Sequence, residues 1–105
     1  MKRFVDFLVT DFSTWRVEFR IHATQRMYQR DISQEDLLFA LSHGIIIEEY
    51  GEDYPFPSML VNGRTKAGRP LHVVPGIDFS EKRMYIITVY EPDSKKWTED
   101  FSRRI

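Results

Sequence analysis

Apolar positions recur at helical steps near the start of the chain and at alternate positions through most of its second half. Phe4, Phe7, Leu8, Phe12 and Trp15 are spaced like one helix face, which predicts a short N-terminal helical extension within residues 1–15. In "WRVEFRI", Val17, Phe19 and Ile21 then alternate with Arg16, Glu18 and Arg20, the period of a half-buried strand. Helical spacing resumes from His22 to about Gln29, with Ala23 and Met27 as its apolar positions. "DISQEDLLFALSHG" carries the clearest signal. Ser33 and Asp36 have the spacing of a capping box, Leu37, Leu38 and Leu41 form a stripe, and Gly44 is expected to end the helix in the left-handed conformation.

"IIIEEY" reads as a strand and "GEDYPFPS" as a loop broken by Pro55 and Pro57. Three β runs follow, "SMLVNGRT", "PLHVVPGI" and "RMYIITVY", and the tail from Pro92 to Ile105 reads as mostly irregular. The fold class is α+β, with helices packed on one face of an antiparallel sheet of about four strands, because consecutive strands joined by short loops cannot run parallel. Lys66-Ala67-Gly68 suits a three-residue hairpin with Gly68 left-handed, which sets Gly63 opposite Leu71, Val61 opposite Val73, Arg64 opposite Pro70 and Asn62 opposite His72. Continuing by parity, His72 is expected to face Thr88, Val74 to face Ile86, and Val73 to face Ile87. One sheet face then collects Met59, Val61, Leu71, Val73, Tyr85, Ile87 and Val89 for the helices to cover. The other, left uncovered, collects Asn62, Arg64, His72, Thr88 and Tyr90, with Leu60, Val74 and Ile86 between them.

A chain of 105 residues that is 42% hydrophobic suits a single domain with a real core, taken as residues 1–105 with the body from residue 17 onward. With no cysteine, it can have neither disulfides nor thiolate zinc sites. No apolar run reaches the roughly 20 residues of a membrane span. The start lacks a small-residue cleavage site, and Asp6 and Asp11 interrupt it, so no signal peptide is expected and the location expected is cytoplasmic. The net charge of −1 is unevenly spread: residues 1–30 hold six basic against three acidic groups, whereas residues 31–60 hold seven acidic and no Lys or Arg. This describes a dipolar molecule whose basic side can meet an anion.

The uncovered face is the first candidate site. An imidazole that titrates near neutrality (His72) lies among Asn62, Arg64, Thr88 and Tyr90, a mix that suits an RNA phosphodiester. His72 would move the proton, Arg64 would hold the phosphate, and Thr88 and Tyr90 would assist. The same residues read equally as ordinary cross-strand neighbours. In "HATQRMYQRDI", His22, Arg26 and Arg30 form a basic row along the border of the Ala23–Met27 stripe. They are candidate RNA contacts with Asn62, or else a seam paired to Asp31, Glu35 or Asp36. His22, His43 and His72 fall on three elements without metal-ligand spacing, so neither metal nor cofactor is called for. His43 falls in the last turn of its helix, where a cation complements the dipole.

"HATQRMYQRDISQEDLLFALSHGIIIEEY", "PFPSMLVNGRTKAGRPLHVV" and "ITVYEPDSKKW", in that order, resemble a small prokaryotic family of unassigned function, Domain of Unknown Function 4258, from about Val17 to the C-terminus. The resemblance implies a RelE-like fold. The layout is also similar to BrnT-type ribonuclease toxins, in which a strand ending in ISAR occupies the place of "ITVY"; Tyr90 stands where that arginine would fall. The resemblance thus implies a toxin-like endoribonuclease of a toxin–antitoxin pair, working on RNA without a metal and covered by an acidic or amphipathic antitoxin-like protein. The competing expectation is a non-catalytic interaction module, a homodimer through the apolar N-terminal segment.

Overall fold

The computed structural model describes residues 2–8 and 12–105, the side chain of Phe12 excepted. The part of the N-terminal helical prediction on residues 9–11, and the role given to the Phe12 side chain, lie outside the described residues. The elements run β1 (Lys2–Arg3), α1 (Phe4–Leu8), a 3-10 turn (Phe12–Thr14), β2 (Arg16–Phe19), α2 (Ile21–Arg30), α3 (Gln34–Ser42), β3 (Ile45–Tyr50), β4 (Ser58–Arg64), β5 (Pro70–Asp78) and β6 (Arg83–Tyr90).

Among the described residues the class is α+β, with three helices and one six-stranded mixed sheet in the order β1-β3-β4-β5-β6-β2. The expectation of about four antiparallel strands is corrected at both edges. β1 adds a two-residue strand against β3, and β2 lies parallel to β6, with Arg16 beside Arg83 and Phe19 beside Ile86. The loop-length argument applied only to strands adjacent in sequence, and β2 reaches β6 after the rest of the domain has intervened.

The capping box forms as the sequence requires: the Asp36 amide donates to Ser33 Oγ at 2.9 Å, and the Ser33 amide donates to Asp36 Oδ2 at 3.1 Å. Such a cap is worth about 1 kcal/mol. Gly44 is not left-handed, and His43 closes the helix instead with φ −107. Gly44 is needed for space, since a Cβ there would lie 2.5 Å from Val61 Cγ1 and 2.6 Å from the Ala40 carbonyl oxygen. α2 ends on Asp31 at φ 54, and the carbonyls freed there are taken by Arg69. Its Nη1 donates to Asp31 O at 2.8 Å, its Nη2 donates to Arg30 O, and its guanidinium pairs with Glu91. One side chain thus ties the end of a helix to the end of β6.

The β4–β5 hairpin has the expected register, with Asn62 opposite His72, Val61 opposite Val73 and Gly68 at φ 92. The β5–β6 register does not. His72 faces Tyr90, Val73 faces Val89 and Val74 faces Thr88; Pro75 then faces Ile86, which leaves Ile87 as an extra residue in a bulge. Beyond the bulge the faces exchange. Met84 and Ile86 enter the core fully buried, while Tyr85 is half-buried and Ile87 is 38% exposed. A similar shift between Ile46 and Glu48 in β3 puts Glu48 beside Leu60, on the same face as His72.

The core lies between the helices and one sheet face, from Ala23, Met27, Leu37, Ala40 and Leu41 onto Val61, Leu71, Val73, Ile86 and Val89. Fully burying each large aliphatic residue contributes about 1.5–3 kcal/mol. Phe4 and Leu8 belong to this same core, at 0% and 4% exposure. The described part of the N-terminal apolar stripe, Phe4, Leu8 and Trp15 with Phe7 packed beside them, is therefore used within the chain. No helix among the described residues is long and apolar enough to cross a membrane.

Candidate functional site

The face expected to be uncovered is covered. Residues 92–105 cross it as a strap that closes on itself, with the Thr98 amide donating to Arg103 O at 2.8 Å and the Ile105 amide to Lys96 O at 2.9 Å. Trp97 is 5% exposed and presents its edge to His72, ring centroids 4.5 Å apart. Arg104 fastens the strap to β3 through both carboxylate oxygens of Glu48, at 2.9 and 3.1 Å, and its guanidinium stacks 4.7 Å from the Trp97 ring.

His72 is consequently 0% exposed. Its Nε2 lies 2.8 Å from the Phe101 carbonyl oxygen, an acceptor only, so Nε2 carries the proton. Its Nδ1 lies 3.1 Å from the Tyr90 hydroxyl, which donates to it. Burial pushes the imidazole below its ordinary value, against a smaller opposing pull from the Phe101 carbonyl. Burial pushes the Tyr90 phenol up. Tyr50 is raised to about 12, first by burial and then by its hydrogen bond to Glu48, while Arg104 draws Glu48 down. Here His72 is a neutral, doubly bonded residue sealed beneath an indole. Thr88 is half-buried opposite Val74, one position from the expected cluster.

The remaining candidates separate into two groups. Arg64 and Asn62 stay together at the end of β4, where they meet the strap. Asn62 Nδ2 donates to Asp100 O at 3.0 Å, Arg64 Nη1 donates to Gly68 O at 3.0 Å, and the Arg64 guanidinium lies 5.7 Å from the Phe101 ring centroid. His22, Arg26 and Arg30 lie on α2, with His22 and Arg30 exposed and Arg26 half-buried. Among the described residues ion pairs form at Arg69–Glu91 and Arg104–Glu48, so the expected pairing of Arg26 and Arg30 to Asp31, Glu35 or Asp36 is not made. Nor does α2 share a described cavity with Arg64.

Arg64 and Asn62 do share one with His43. Together with Phe39, Ile45, Gly63 and Asp100 they line an open cavity of about 290 Å³ between the end of α3, β4 and the strap. The His43 ring stacks on Phe39, centroids 4.2 Å apart. His43 Nδ1 lies 3.0 Å from Ser42 Oγ and 3.1 Å from Phe39 O, and because a carbonyl only accepts, the second contact is made with the proton on Nδ1. The neutral ring then holds its lone pair on Nε2, the tautomer a general base requires. A second hollow of about 530 Å³, lined by Arg64, Thr98, Glu99, Asp100 and Arg103, shares Arg64 and Asp100 with the first.

Sequence reasoning placed His43 only as a dipole partner and missed Glu48, Trp97, Asp100, Phe101 and Arg104 altogether. His43 had a usable signal: it ends a helix whose next strand pairs Ile45 with Asn62, beside Arg64 in sequence. The strap residues have no periodicity that could have shown them. Among the described residues, no three His, Cys, Asp or Glu side chains come together as metal ligands.

A family model, that of a domain of unknown function (DUF4258), matches residues 19–91. Among curated proteins and among solved structures nothing matches. The matched span runs from β2 through β6 and includes His43, Asn62 and Arg64, while the strap follows it.

Proposed function

The chain belongs to the family of the domain of unknown function DUF4258, and from that premise we propose that it is a toxin-like endoribonuclease whose phosphodiester site is the His43–Asn62–Arg64 groove. One observation supports this above the others: an imidazole with a free Nε2, an amide and a guanidinium line the same open cavity. Helices laid over one face of a sheet also suit the RelE-like reading. The proton-moving role moves from His72 to His43 because an imidazole sealed from solvent cannot reach a substrate hydroxyl.

In the proposed step His43 Nε2 takes the proton of an RNA 2′-hydroxyl. The 2′-oxygen bonds to phosphorus as the P–O5′ bond breaks, and the 5′-oxygen leaves with a proton from water. The products are a 2′,3′-cyclic phosphate and a 5′-hydroxyl end. Arg64 forks onto the phosphate oxygens as charge builds on them. No step calls on a metal.

General-base assistance is worth ~10²–10⁴-fold. Incubated with single-stranded RNA, the wild-type protein is expected to produce 5′-hydroxyl ends. His43→Ala, with its fold verified by circular dichroism, should slow their appearance by about 100-fold or more. Cleavage at an unchanged rate in His43→Ala, or intact RNA with folded wild-type protein, would sink the proposal.

A second reading, docking of an acidic protein partner such as an antitoxin, is favoured by α2. Ile21 and Tyr28 lie two turns apart on one stripe, 78% and 90% exposed, on a helix that contains no acidic residue. Tyr28→Asp should abolish capture of such a partner while leaving the fold unchanged. Tight binding that survives this change would remove α2 as the docking surface.

A further inference from the structure

The groove contains one group that phosphate binding does not explain, the Asp100 carboxylate, which lines both hollows beside Arg64. It is held firmly. Its Oδ1 accepts from Thr98 Oγ1 at 2.8 Å, from Ser102 Oγ at 2.7 Å and from the Ser102 amide at 3.1 Å. Those three bonds all go to Oδ1, and Oδ2 accepts none from the described residues. The same hydroxyls, Ser102 first, lower its pKa to about 2, so it is anionic at neutral pH. Asn62 donates one amide hydrogen to the Asp100 carbonyl and lines the same cavity, and its Oδ1 is a second acceptor.

An anionic acceptor and a neutral acceptor, on two residues joined by a hydrogen bond, therefore belong to one cavity lining. The guanidinium that can take a phosphate is adjacent, and the aromatic pair Phe39–His43 borders the same cavity. An anion alone would be repelled by Asp100. A ligand that fits must combine an anionic group with a flat ring whose edge carries N–H donors. Among the nucleobases only guanine offers two neighbouring N–H donors, on N1 and N2, to a pair of acceptors. Adenine and cytosine offer one exocyclic amino group next to a ring acceptor, and uracil sets its single N–H between two carbonyls.

Resting on the ribonuclease reading for the identity of the groove, we propose that this groove recognises a guanine nucleotide, with Asp100 and Asn62 reading the N1 and N2 hydrogens and Arg64 holding the phosphate. The ring packs against the Phe39–His43 pair. Because Asp100 comes from the strap while Asn62 and Arg64 come from β4, base preference depends in part on a residue outside the family-matched span.

The test is equilibrium binding of the four nucleoside 3′-monophosphates, and of short single-stranded RNAs with one or no guanosine, to the intact chain. Guanosine 3′-monophosphate should bind roughly tenfold to a hundredfold more tightly than the other three, the discrimination of a good paired contact. Asp100→Asn keeps an oxygen for Thr98 and Ser102 but loses the charge; it should reduce the preference to about threefold or less and, with the repulsion gone, should not weaken adenosine 3′-monophosphate. Arg64→Ala should weaken all four alike. Equal binding of the four, or a guanine preference that persists in Asp100→Asn, overturns the proposal. The RNA arm separates the sources of the ligand: a further gain with guanosine-containing RNA assigns the groove to the polymer, and equal binding of the mononucleotide assigns it to free nucleotides. Guanine preference without cleavage removes the ribonuclease reading and keeps this one, and cleavage with no base preference does the reverse.

Discussion

Gly63→Ala is expected to destabilise the protein by about 3 kcal/mol, the upper part of the range for overpacking a close contact. A Cβ at this position would lie 2.2 Å from the Ala40 carbonyl oxygen, 2.8 Å from its carbon and 3.1 Å from its Cα. All three are backbone atoms of α3, so no side chain can rotate to make room. The helix would have to lift from β4, and Ala40, fully buried beneath it, would lose its contacts. Urea unfolding should show a lower midpoint with an unchanged m-value, and the melting temperature should fall by roughly 15 °C at about 4–8 °C per kcal/mol. Gly63 also lines the groove with His43 and Arg64, so ligand binding should weaken in the same variant at temperatures where it remains folded. A melting temperature within a few degrees of wild type would show that α3 does not pack on β4 at this distance.

Trp97→Ala is expected to cost about 3–5 kcal/mol, as removal of a buried indole generally does, and to change how the protein responds to acid. In the wild type, His72 is held below its ordinary value by burial. As pH falls through 6.5, the unfolded state takes up the proton first and is favoured, so stability is at its full value above about pH 6.5 and declines below it. Glu48 and Asp100, whose ordinary values are 4.5 and 3.8, are lowered in the folded protein and lose their contribution only further down the scale. The decline between about pH 6.5 and 5 is therefore assigned to His72. Without the indole, water reaches the ring, its titration moves back toward 6.5, and that part of the slope should flatten. Unfolding midpoints across this interval, with the His72 ring followed by NMR, measure both effects. A His72 titration that does not move in Trp97→Ala would mean that burial by the strap is not what depresses it.

The elements legible in the sequence were those carrying a local signature. Ser33 and Asp36 marked the start of α3, and Lys66-Ala67-Gly68 fixed the β4–β5 register, because a three-residue turn allows only one pairing. What failed depended on information without a local trace. The β6 assignment erred at Ile87, since parity counting cannot detect one inserted residue, and Met84 and Tyr85 exchanged faces as a result. Gly44 was misassigned because a glycine required for close approach looks the same in sequence as one required for a left-handed turn. The strap was missed because Trp97 and Phe101 are held by contacts with His72 and Arg64, distant in sequence, rather than by any repeat of their own. For the site, Arg64 and Asn62 were found with a histidine as partner, but the histidine was the wrong one. Both His43 and His72 lie close to Asn62 in the sheet plan, and only the strap decides which of them is open.

The parallel pairing of β2 with β6 bears on how the chain is synthesised. Arg16–Phe19 is made about 60 residues before its partner strand, Arg83–Tyr90. Contacts so distant in sequence are slow to form because a long loop must close before they return any stabilisation. The nascent chain therefore carries β2 and the apolar underside of α2 without their docking partner until β6 has been made. Residues 1–30 hold six basic against three acidic groups, a net positive charge that favours repulsion between two such waiting segments.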